Sequence, residues 1–335
     1  MSTDYNIKPE VPFYKRSDSR LICEICPRFC KLSDGQTGIC RGRRNVSGTL
    51  RAINYGETAS IALDPIEKKP LYHFFPGTKI LSAGPNSCSF NCKFCQNWEI
   101  SQEVVPVQHV NPKELASLAG ENNSIGIAYT YSEPLMWYEF LLDCGSEFHD
   151  QGMHNVLVTN GYINPEPFAR LIPLIDAMNI DLKSIDDDFY RKLCGGVSIQ
   201  PVLDTITTAY KAGIHIELTQ LLIPGENDST DQIERTVRWV ADLGRDIPVH
   251  FSRYFPRYKF KTPATGSNVL EKAYEIASRE LEWVYVGNIS LGIGSDSNCP
   301  GCGSILVERR GYSTSVRSLA GDKCGKCGRK VYFRK

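Results

Sequence analysis

Short apolar runs alternate with helix-like segments from residue 79 onward. The apolar runs predict six β-strands, at 80–83, 124–129, 155–159, 177–182, 215–222 and 248–253. Between them, apolar residues recur at helical spacing, which predicts helices at 112–121, 134–151, 202–212 and 230–243. Strands that alternate with helices form parallel sheets. Because six such units are too few for an eight-fold barrel, the pattern predicts an α/β fold with a partial (β/α)6 TIM-like barrel.

The same pattern divides the chain into three parts. A further helix at 268–282 and an edge strand within 283–289 are expected to complete a barrel domain at 79–295. Residues 1–78 are expected to form a cysteine-rich extension, in which proline and charge make 41–79 an extended connector rather than a helix. Residues 296–335 are predicted to be a separate zinc-ribbon-like tail. His73, in the connector, is expected to lie at the surface, with contact to a ligand pocket or a substrate as the alternative.

Charge and hydropathy exclude several partners. The 335-residue chain has 38 Lys and Arg against 38 Asp and Glu, so its formal net charge is zero. It lacks the overall charge that favours nucleic acid or an anionic membrane. Residues 1–15 lack the apolar core of a signal peptide, and no apolar run approaches the roughly 20 residues that span a bilayer. We therefore expect a cytoplasmic protein without a membrane partner, for which nucleic acid is not the expected ligand.

Eleven of the 13 cysteines fall into three local groups. In a long chain without a secretion signal, grouped cysteines indicate metal sites rather than disulfides. The first group has four thiols separated by tight turns: Cys23, Cys26, Cys30 and Cys40. Such a set suits zinc or a second iron–sulfur cluster, or it consists of uncoordinated thiols, and the spacing does not decide among them.

The last group forms two C-x-x-C-G motifs about twenty residues apart, at Cys299, Cys302, Cys324 and Cys327. Four thiolates arranged in two such pairs predict a closed tetrahedral zinc site, as in a zinc ribbon. The tail around it is rich in Lys and Arg. Solvated charge is the expected role of these residues, with an acidic partner or nucleic acid as the alternative.

The middle group, Cys88, Cys92 and Cys95, follows the first predicted strand with C-x-x-x-C-x-x-C spacing. An iron–sulfur cube normally takes four thiolates. Three closely spaced cysteines bind three irons and leave the fourth iron open to another ligand. The alternatives are a zinc site or three unrelated buried thiols, but zinc knuckles more often use C-x-x-C pairs.

Polar residues stand at the ends of the other predicted strands, where parallel barrels place their chemistry. They are Glu133, Asn160, Asp181, Lys183, Gln220 and His250. Four of them have a structural alternative: Glu133 as an acidic helix start, Asp181 and Lys183 as a surface ion pair, and His250 in a structural role.

The cysteine triad resembles the signature of the radical S-adenosylmethionine superfamily. Five segments are similar to those of the AmmeMemoRadiSam system radical enzymes: Cys23 to Cys40, Asp64-Pro65-Ile66-Glu67-Lys68-Lys69-Pro70-Leu71, the triad with Cys95-Gln96-Asn97, Thr130-Tyr131-Ser132-Glu133-Pro134 and His250-Phe251-Ser252-Arg253. These enzymes are a branch of the pyruvate-formate-lyase-activating-enzyme-like proteins. The resemblance covers roughly residues 20–290. Most relatives have Gly-Gly-Glu where this chain has Tyr131-Ser132-Glu133.

The resemblance implies a function. A [4Fe-4S] cluster on the triad would reductively cleave S-adenosylmethionine to a 5′-deoxyadenosyl radical, which abstracts hydrogen from a protein or peptide substrate. An electron donor of the flavodoxin or ferredoxin type would supply the electron. Phe94, Glu133, Asn160 and Gln220 would contact the cofactor. Lys183, Asp181 and His250 would be catalytic residues of the pocket.

Two other functions remain open. One is radical modification of a small-molecule or lipid-like metabolite. The other is a non-catalytic metal-binding adaptor that recruits a partner through its zinc ribbon and N-terminal thiols. Glu133 favours an enzyme, because an adaptor needs no ligand for the cofactor's amino group.

Overall fold

The structure, a computed structural model, describes residues 11–335. Our expectations for residues 1–10 lie outside the described residues. The extension begins with short antiparallel pairs, β1–β2–β3 and β4–β5. The strands of this part are β1 (Tyr14–Ser17), β2 (Arg20–Cys23), β3 (Lys31–Leu32), β4 (Arg43–Val46), β5 (Thr49–Ala52) and β6 (Glu57–Thr58).

An eight-stranded sheet forms the centre of the molecule. Its strands are β7 (Ser60–Pro65), β8 (Lys79–Gly84), β10 (Gly126–Tyr129), β11 (His154–Thr159), β12 (Ala177–Asp181), β13 (His215–Leu222), β14 (Val249–Arg253) and β15 (Val284–Gly287). The short β9 (Gln108–His109) pairs with β6 instead. From β8 to β15 every neighbouring pair is parallel, and β7 pairs with β8 antiparallel.

Each of the six predicted strands is present, and the predicted edge strand is β15. The partial barrel is confirmed. The strand β7 was not predicted, because prolines and charges lie around it and all but one of its residues are half-buried, so the run is neither continuously apolar nor alternating. Since β7 pairs with β8, the sheet extends across the proposed domain boundary at residue 78.

Helices cover the outside of the sheet. They are α1 (Trp98–Gln102), α2 (Pro112–Glu121), α3 (Tyr138–Asp150), α4 (Pro165–Leu171), α5 (Asp187–Leu193), α6 (Gln200–Lys211), α7 (Thr230–Leu243) and α8 (Ser267–Ala277). Capping boxes at Asn111 and Ser229 fix the starts of α2 and α7. The predicted helix at 134–151 begins as a 3-10 turn, Pro134–Trp137, before α3. Across the described residues, no helix has both the length and the apolarity to cross a membrane.

The C-terminal tail consists of short strands that dock beside the barrel: β16 (Ser297–Asn298), β17 (Ile305–Arg310), β18 (Ser313–Val316), β19 (Leu319–Ala320) and β20 (Lys323–Cys324). One basic residue of the tail is not solvated. Arg309 is 2% exposed, and its guanidinium donates to the Tyr72 carbonyl at 2.6 Å and to Ser297 Oγ at 2.9 Å. The expectation of solvated charge was therefore wrong for Arg309, which joins the tail to the connector.

A buried polar cluster lies inside the barrel around Glu217 of β13. The Glu217 carboxylate accepts the His73 backbone N–H at 2.7 Å and contacts His250 Nε2 at 2.7 Å and His215 Nε2 at 3.1 Å. The carboxylate is fully buried. Hydrogen bonds from its neighbours outweigh the cost of burial and lower the pKa of Glu217 below its usual range.

His73 was predicted at the surface, and that prediction was wrong: its side chain is fully buried. Its Nδ1 lies 2.6 Å from the Tyr332 carbonyl oxygen, which only accepts, so Nδ1 carries the proton. Its Nε2 then accepts from the Tyr285 hydroxyl at 2.5 Å, and the ring stacks on Phe333 at 3.8 Å. The histidine therefore ties the connector to the tail in its neutral form.

This arrangement predicts acid sensitivity. Burial lowers the pKa of His73 to about 3, against about 6.5 in the unfolded chain. A depressed histidine pKa gives stability that is present above pH 6.5 and lost as the pH falls below it. Between pH 7.5 and 5.5 we expect the free energy of unfolding to fall by roughly 1 kcal/mol through this group alone.

The measurement is denaturant unfolding across that range under anaerobic conditions, with His73→Gln as the comparison. The variant is expected to be less stable at pH 7.5 but to lose less stability on acidification. An equal pH slope in both proteins would contradict the assignment.

Candidate functional site

A cavity of about 570 Å³ opens at the carboxyl ends of the parallel strands. Many of the residues predicted for the site line it together: Cys88, Cys92, Cys95, Phe94, Glu133, Asn160, Asp181 and Lys183. They come from the ends of four neighbouring strands, β8, β10, β11 and β12, and from the loops that follow. The strand-end argument therefore located the cavity from sequence.

The loop that carries the cysteine triad is fixed by its backbone. The amide of Lys93 donates to the Leu193 carbonyl at 2.9 Å, and that of Asn91 donates to the Cys194 carbonyl at 3.3 Å. At its start the chain passes very close to its neighbour, since a Cβ on Gly84 would lie 2.1 Å from the Thr130 carbonyl oxygen. Only glycine fits there. The three thiols therefore lie on a loop that backbone hydrogen bonds hold in place.

The triad fits a cluster with one open iron. All three thiols line the same cavity, and no other cysteine of residues 11–335 does so. The Cys194 thiol lies beside Cys92, and this contact together with burial raises the pKa of Cys92 well above its usual value. Burial likewise raises the pKa of Cys88 and Cys95. Metal binding would release these protons.

Glu133 is 1% exposed and is held by three donors. The Thr159 hydroxyl donates to the Glu133 carboxylate at 2.6 Å. The backbone N–H groups of Asn160 and Leu135 donate to it at 2.8 Å and 3.0 Å. Burial raises the pKa of Glu133 to about 7 although these donors oppose the shift. Because the Leu135 bond caps the 3-10 turn, Glu133 is a helix start and a cavity residue at once.

Asp181 and Lys183 form an ion pair inside the cavity, with 2.8 Å between Oδ2 and Nζ. The Lys183 side chain is only 15% exposed. Burial alone would lower the pKa of Lys183, but the Asp181 carboxylate and the neighbouring thiols reverse this effect and raise it. The pair therefore presents a charged ammonium within reach of the cysteine loop.

Two predicted site residues do not line the cavity. On β13 the cavity residues are Thr219 and Leu221, so the intervening Gln220 faces the other side of the sheet, where both polar atoms of its buried side chain lack a partner. On β14 the cavity residue is Ser252. His250 points to the same side but lies deeper, bound to Glu217. His250 is therefore a buried structural residue, which was the alternative to a site residue.

The cavity also includes residues of the connector that were not predicted from the sequence. Asp64 accepts from Lys68 Nζ, Lys69 Nζ and the Tyr131 hydroxyl, each at 2.7 Å, and both lysines line the cavity. Lys69 is 2% exposed, and burial lowers its pKa. The density of charge at 64–69 is the available signal, but together with the prolines it equally favours an extended connector.

Tyr131 occupies a glycine-like position. Its φ is +70°, in the left-handed region that costs a side chain roughly 1 kcal/mol or more. The bond to Asp64 and a 2.7 Å bond from Asn97 Nδ2 to the Tyr131 carbonyl hold it there. The Tyr131 side chain thus anchors the connector at the edge of the cavity.

The C-terminal thiols do not line this cavity, and they lie close to one another. The ligand atoms of Cys299, Cys302, Cys324 and Cys327 all lie within 4.8 Å of one another, and no other such group of at least three His, Cys, Asp or Glu residues occurs in the described chain. Two sulfur–sulfur distances are 3.6 Å and 3.7 Å. Four thiols at this spacing can bind a single metal ion.

Comparison with known proteins identifies the family. The Radical SAM superfamily model matches residues 84–240, which contain the cysteine loop, Glu133 and Lys183. The chain belongs to the radical S-adenosylmethionine superfamily. It is 42% identical to an uncharacterized protein of Methanocaldococcus jannaschii over 96% of this chain and 98% of that protein.

Other relatives are activating enzymes. The chain is 23% identical to the pyruvate formate-lyase 1-activating enzyme of Escherichia coli strain K12, over 53% of this chain and 75% of that enzyme. A solved domain of the pyruvate-formate lyase-activating enzyme from Bacteroides vulgatus is 24% identical, with a TM-score of 0.43, over 49% of this chain and 99% of that domain. The superfamily match and the activating enzymes among the sequence relatives support an activase-like enzyme of the radical S-adenosylmethionine type, and the superfamily implies a [4Fe-4S] cluster and S-adenosylmethionine.

Proposed function

We propose that Cys88, Cys92 and Cys95 bind a [4Fe-4S] cluster whose fourth iron accepts S-adenosylmethionine in the 570 Å³ cavity. The observation that carries this proposal is the triad itself: three thiols on one braced loop line a cavity to which the described chain brings no fourth cysteine. Together the reduced cluster and S-adenosylmethionine supply a 5′-deoxyadenosyl radical, which removes hydrogen from a substrate.

The chain's own residues would bind and orient the cofactor. Glu133 offers a buried carboxylate for the amino group of S-adenosylmethionine, and a charge-assisted bond of this kind is stronger where water is excluded. Phe94 and Asn160, at the same cavity, are the proposed contacts for the rest of the cofactor. Lys183, held by Asp181, would place a positive charge near the reacting groups and exclude bulk water from them.

We propose a protein or peptide as the substrate. The activating enzymes among the relatives support this class, since their names describe action on another enzyme. A surface feature supports it as well: after α1, whose Ser101 and Gln102 line the cavity, the chain exposes Val104 (82%) and Val107 (41%). Exposed aliphatic residues beside a cavity suit contact with another protein. An electron donor of the flavodoxin or ferredoxin type would reduce the cluster.

We also propose zinc as the metal of the C-terminal thiols, because their sulfur–sulfur distances of 3.6 and 3.7 Å match the tetrahedral zinc–thiolate geometry. This site would stabilise the tail that Arg309 and Tyr332 join to the connector. Its position away from the cavity suits a structural role.

The proposal predicts reductive cleavage of S-adenosylmethionine. Anaerobically purified and reduced protein should form 5′-deoxyadenosine, measured by liquid chromatography. Cys92→Ser should abolish it, because the cluster loses a ligand. Cys194→Ala, which removes the thiol beside Cys92 that does not line the cavity, should retain activity.

Formation of 5′-deoxyadenosine by Cys92→Ser, or none by the iron-loaded wild type, would refute the proposal. Incubation with candidate partner proteins and electron paramagnetic resonance for a glycyl radical would then separate a protein substrate from a small metabolite.

Glu133 provides a second prediction. Glu133→Gln keeps the shape of the side chain but removes its charge, so the dissociation constant for S-adenosylmethionine should rise on the order of 10- to 100-fold. The measurement is equilibrium binding to the anaerobic protein. Glu121→Gln, at the exposed end of α2, is the control and should leave binding unchanged. Equal affinity in the two variants would show that Glu133 is not a ligand of the amino group.

A further inference from the structure

The N-terminal cysteine group forms a metal site of its own. Cys23, Cys26, Cys30 and Cys40 all line one small cavity in the extension, together with apolar side chains and Arg43. We propose that this site binds a second [4Fe-4S] cluster through all four thiols, rather than zinc. This inference goes beyond the proposed function, because it concerns a separate site and does not depend on the chemistry of the triad.

Thiol spacing separates the two metals. Around zinc, tetrahedral bonds of about 2.3 Å bring the sulfurs to about 3.8 Å from one another. The C-terminal thiols have this spacing. No three of the N-terminal thiols, all of which the structure describes, lie within 4.8 Å of one another. A cubane cluster demands the wider spacing, because each thiolate binds a different iron at a separate corner.

A small space, about enough for one water molecule, lies among the side chains that include the four thiols, so the thiols are not closed around a single point. About 10 Å³ of space is open to a water-sized sphere between the lining side chains. Four sulfurs about 2.3 Å from a zinc ion leave no room for such a sphere at their centre. The thiols of the proposed radical cluster are likewise too far apart to form a single-ion site. In the spacing of its thiols, the N-terminal group therefore resembles the triad and not the C-terminal group.

A buried arginine supplies an independent sign of a ligand. Arg43 is 1% exposed, and its Nη2 is paired with both carboxylate oxygens of Glu139 at 2.6 Å. Its Nε lies in the interior without any partner. A buried N–H left unpaired is costly, and Arg43 lines the cysteine cavity. Cluster sulfurs and thiolates accept such hydrogen bonds, so a bound cluster would satisfy this donor.

The site lies next to the radical site. Arg28, which lines the cysteine cavity, donates from Nε to the Ser89 carbonyl at 2.9 Å, inside the loop of the triad. Arg41, which follows Cys40, donates to the Ser101 and Gln102 carbonyls at 2.9 and 3.0 Å. Ser101 and Gln102 line the larger cavity. The second cluster would therefore be held one side chain away from the first.

The test is metal and sulfide content per chain in protein purified anaerobically without added iron. We expect about eight irons and about one zinc in the wild type. The variant Cys88→Ser/Cys92→Ser/Cys95→Ser leaves the N-terminal group intact and should retain about four irons. Cys302→Ser should lose zinc and keep all the iron. A wild type with about four irons and about two zincs would overturn the proposal, and so would a triple variant without iron.

Spectroscopy of the reduced triple variant adds a second readout. A cluster with four thiolates has no open iron, so its electron paramagnetic resonance spectrum should not change when S-adenosylmethionine is added. A spectrum that does change would contradict the four-thiolate assignment. If the wild type has eight irons but forms no 5′-deoxyadenosine, the proposed function fails and the second cluster stands.

Discussion

The chemistry of the site depends on three thiols that open onto one cavity, to which residues 11–335 bring no fourth cysteine. Cys88, Cys92 and Cys95 occupy a loop that is paired with the backbone of Leu193 and Cys194 and packed tightly against the neighbouring strand end. These contacts fix the direction in which the thiols point before any metal binds. A cluster held by these thiols would leave one iron without a thiolate ligand, and Glu133 and Lys183 line the same cavity as the thiols. Radical chemistry requires this combination, because one iron must stay free for the cofactor while the protein excludes water from the rest.

The interior of the barrel has two layers with different roles. At the carboxyl ends of the strands, polar groups face the cavity. Deeper inside, Glu217 binds His215, His250 and the backbone of His73 in a closed set of hydrogen bonds. Groups that are fully paired and buried stabilise one arrangement of the strands and the tail, and they are unavailable to a ligand. The connector links the two layers. Its His73 lies in the deeper layer beside Glu217, and its Lys68 and Lys69 line the cavity.

The sequence predicts the sheet and the thiol groups well, for physical reasons. Buried parallel strands are apolar on both faces, so each stands out as a continuous run, and metal sites require cysteines at short fixed spacing. The direction in which a strand side chain points is harder to predict from the sequence. The choice of Gln220 over its neighbours on β13 depended on which face of the strand points inward, and a strand that is buried on both faces carries no signal of this. The burial of His73 and Lys69 depends on where the connector docks, which local pattern does not encode.

The most direct test of the open iron is the electron paramagnetic resonance spectrum of the reduced wild-type protein, recorded with and without S-adenosylmethionine. Our account predicts that the signal of the triad cluster changes when the cofactor is added, because its amino and carboxylate groups bind the free iron. The Cys194→Ala variant should show the same change. A spectrum that is unaffected by a saturating amount of cofactor would mean that the fourth iron is closed, and it would contradict the account.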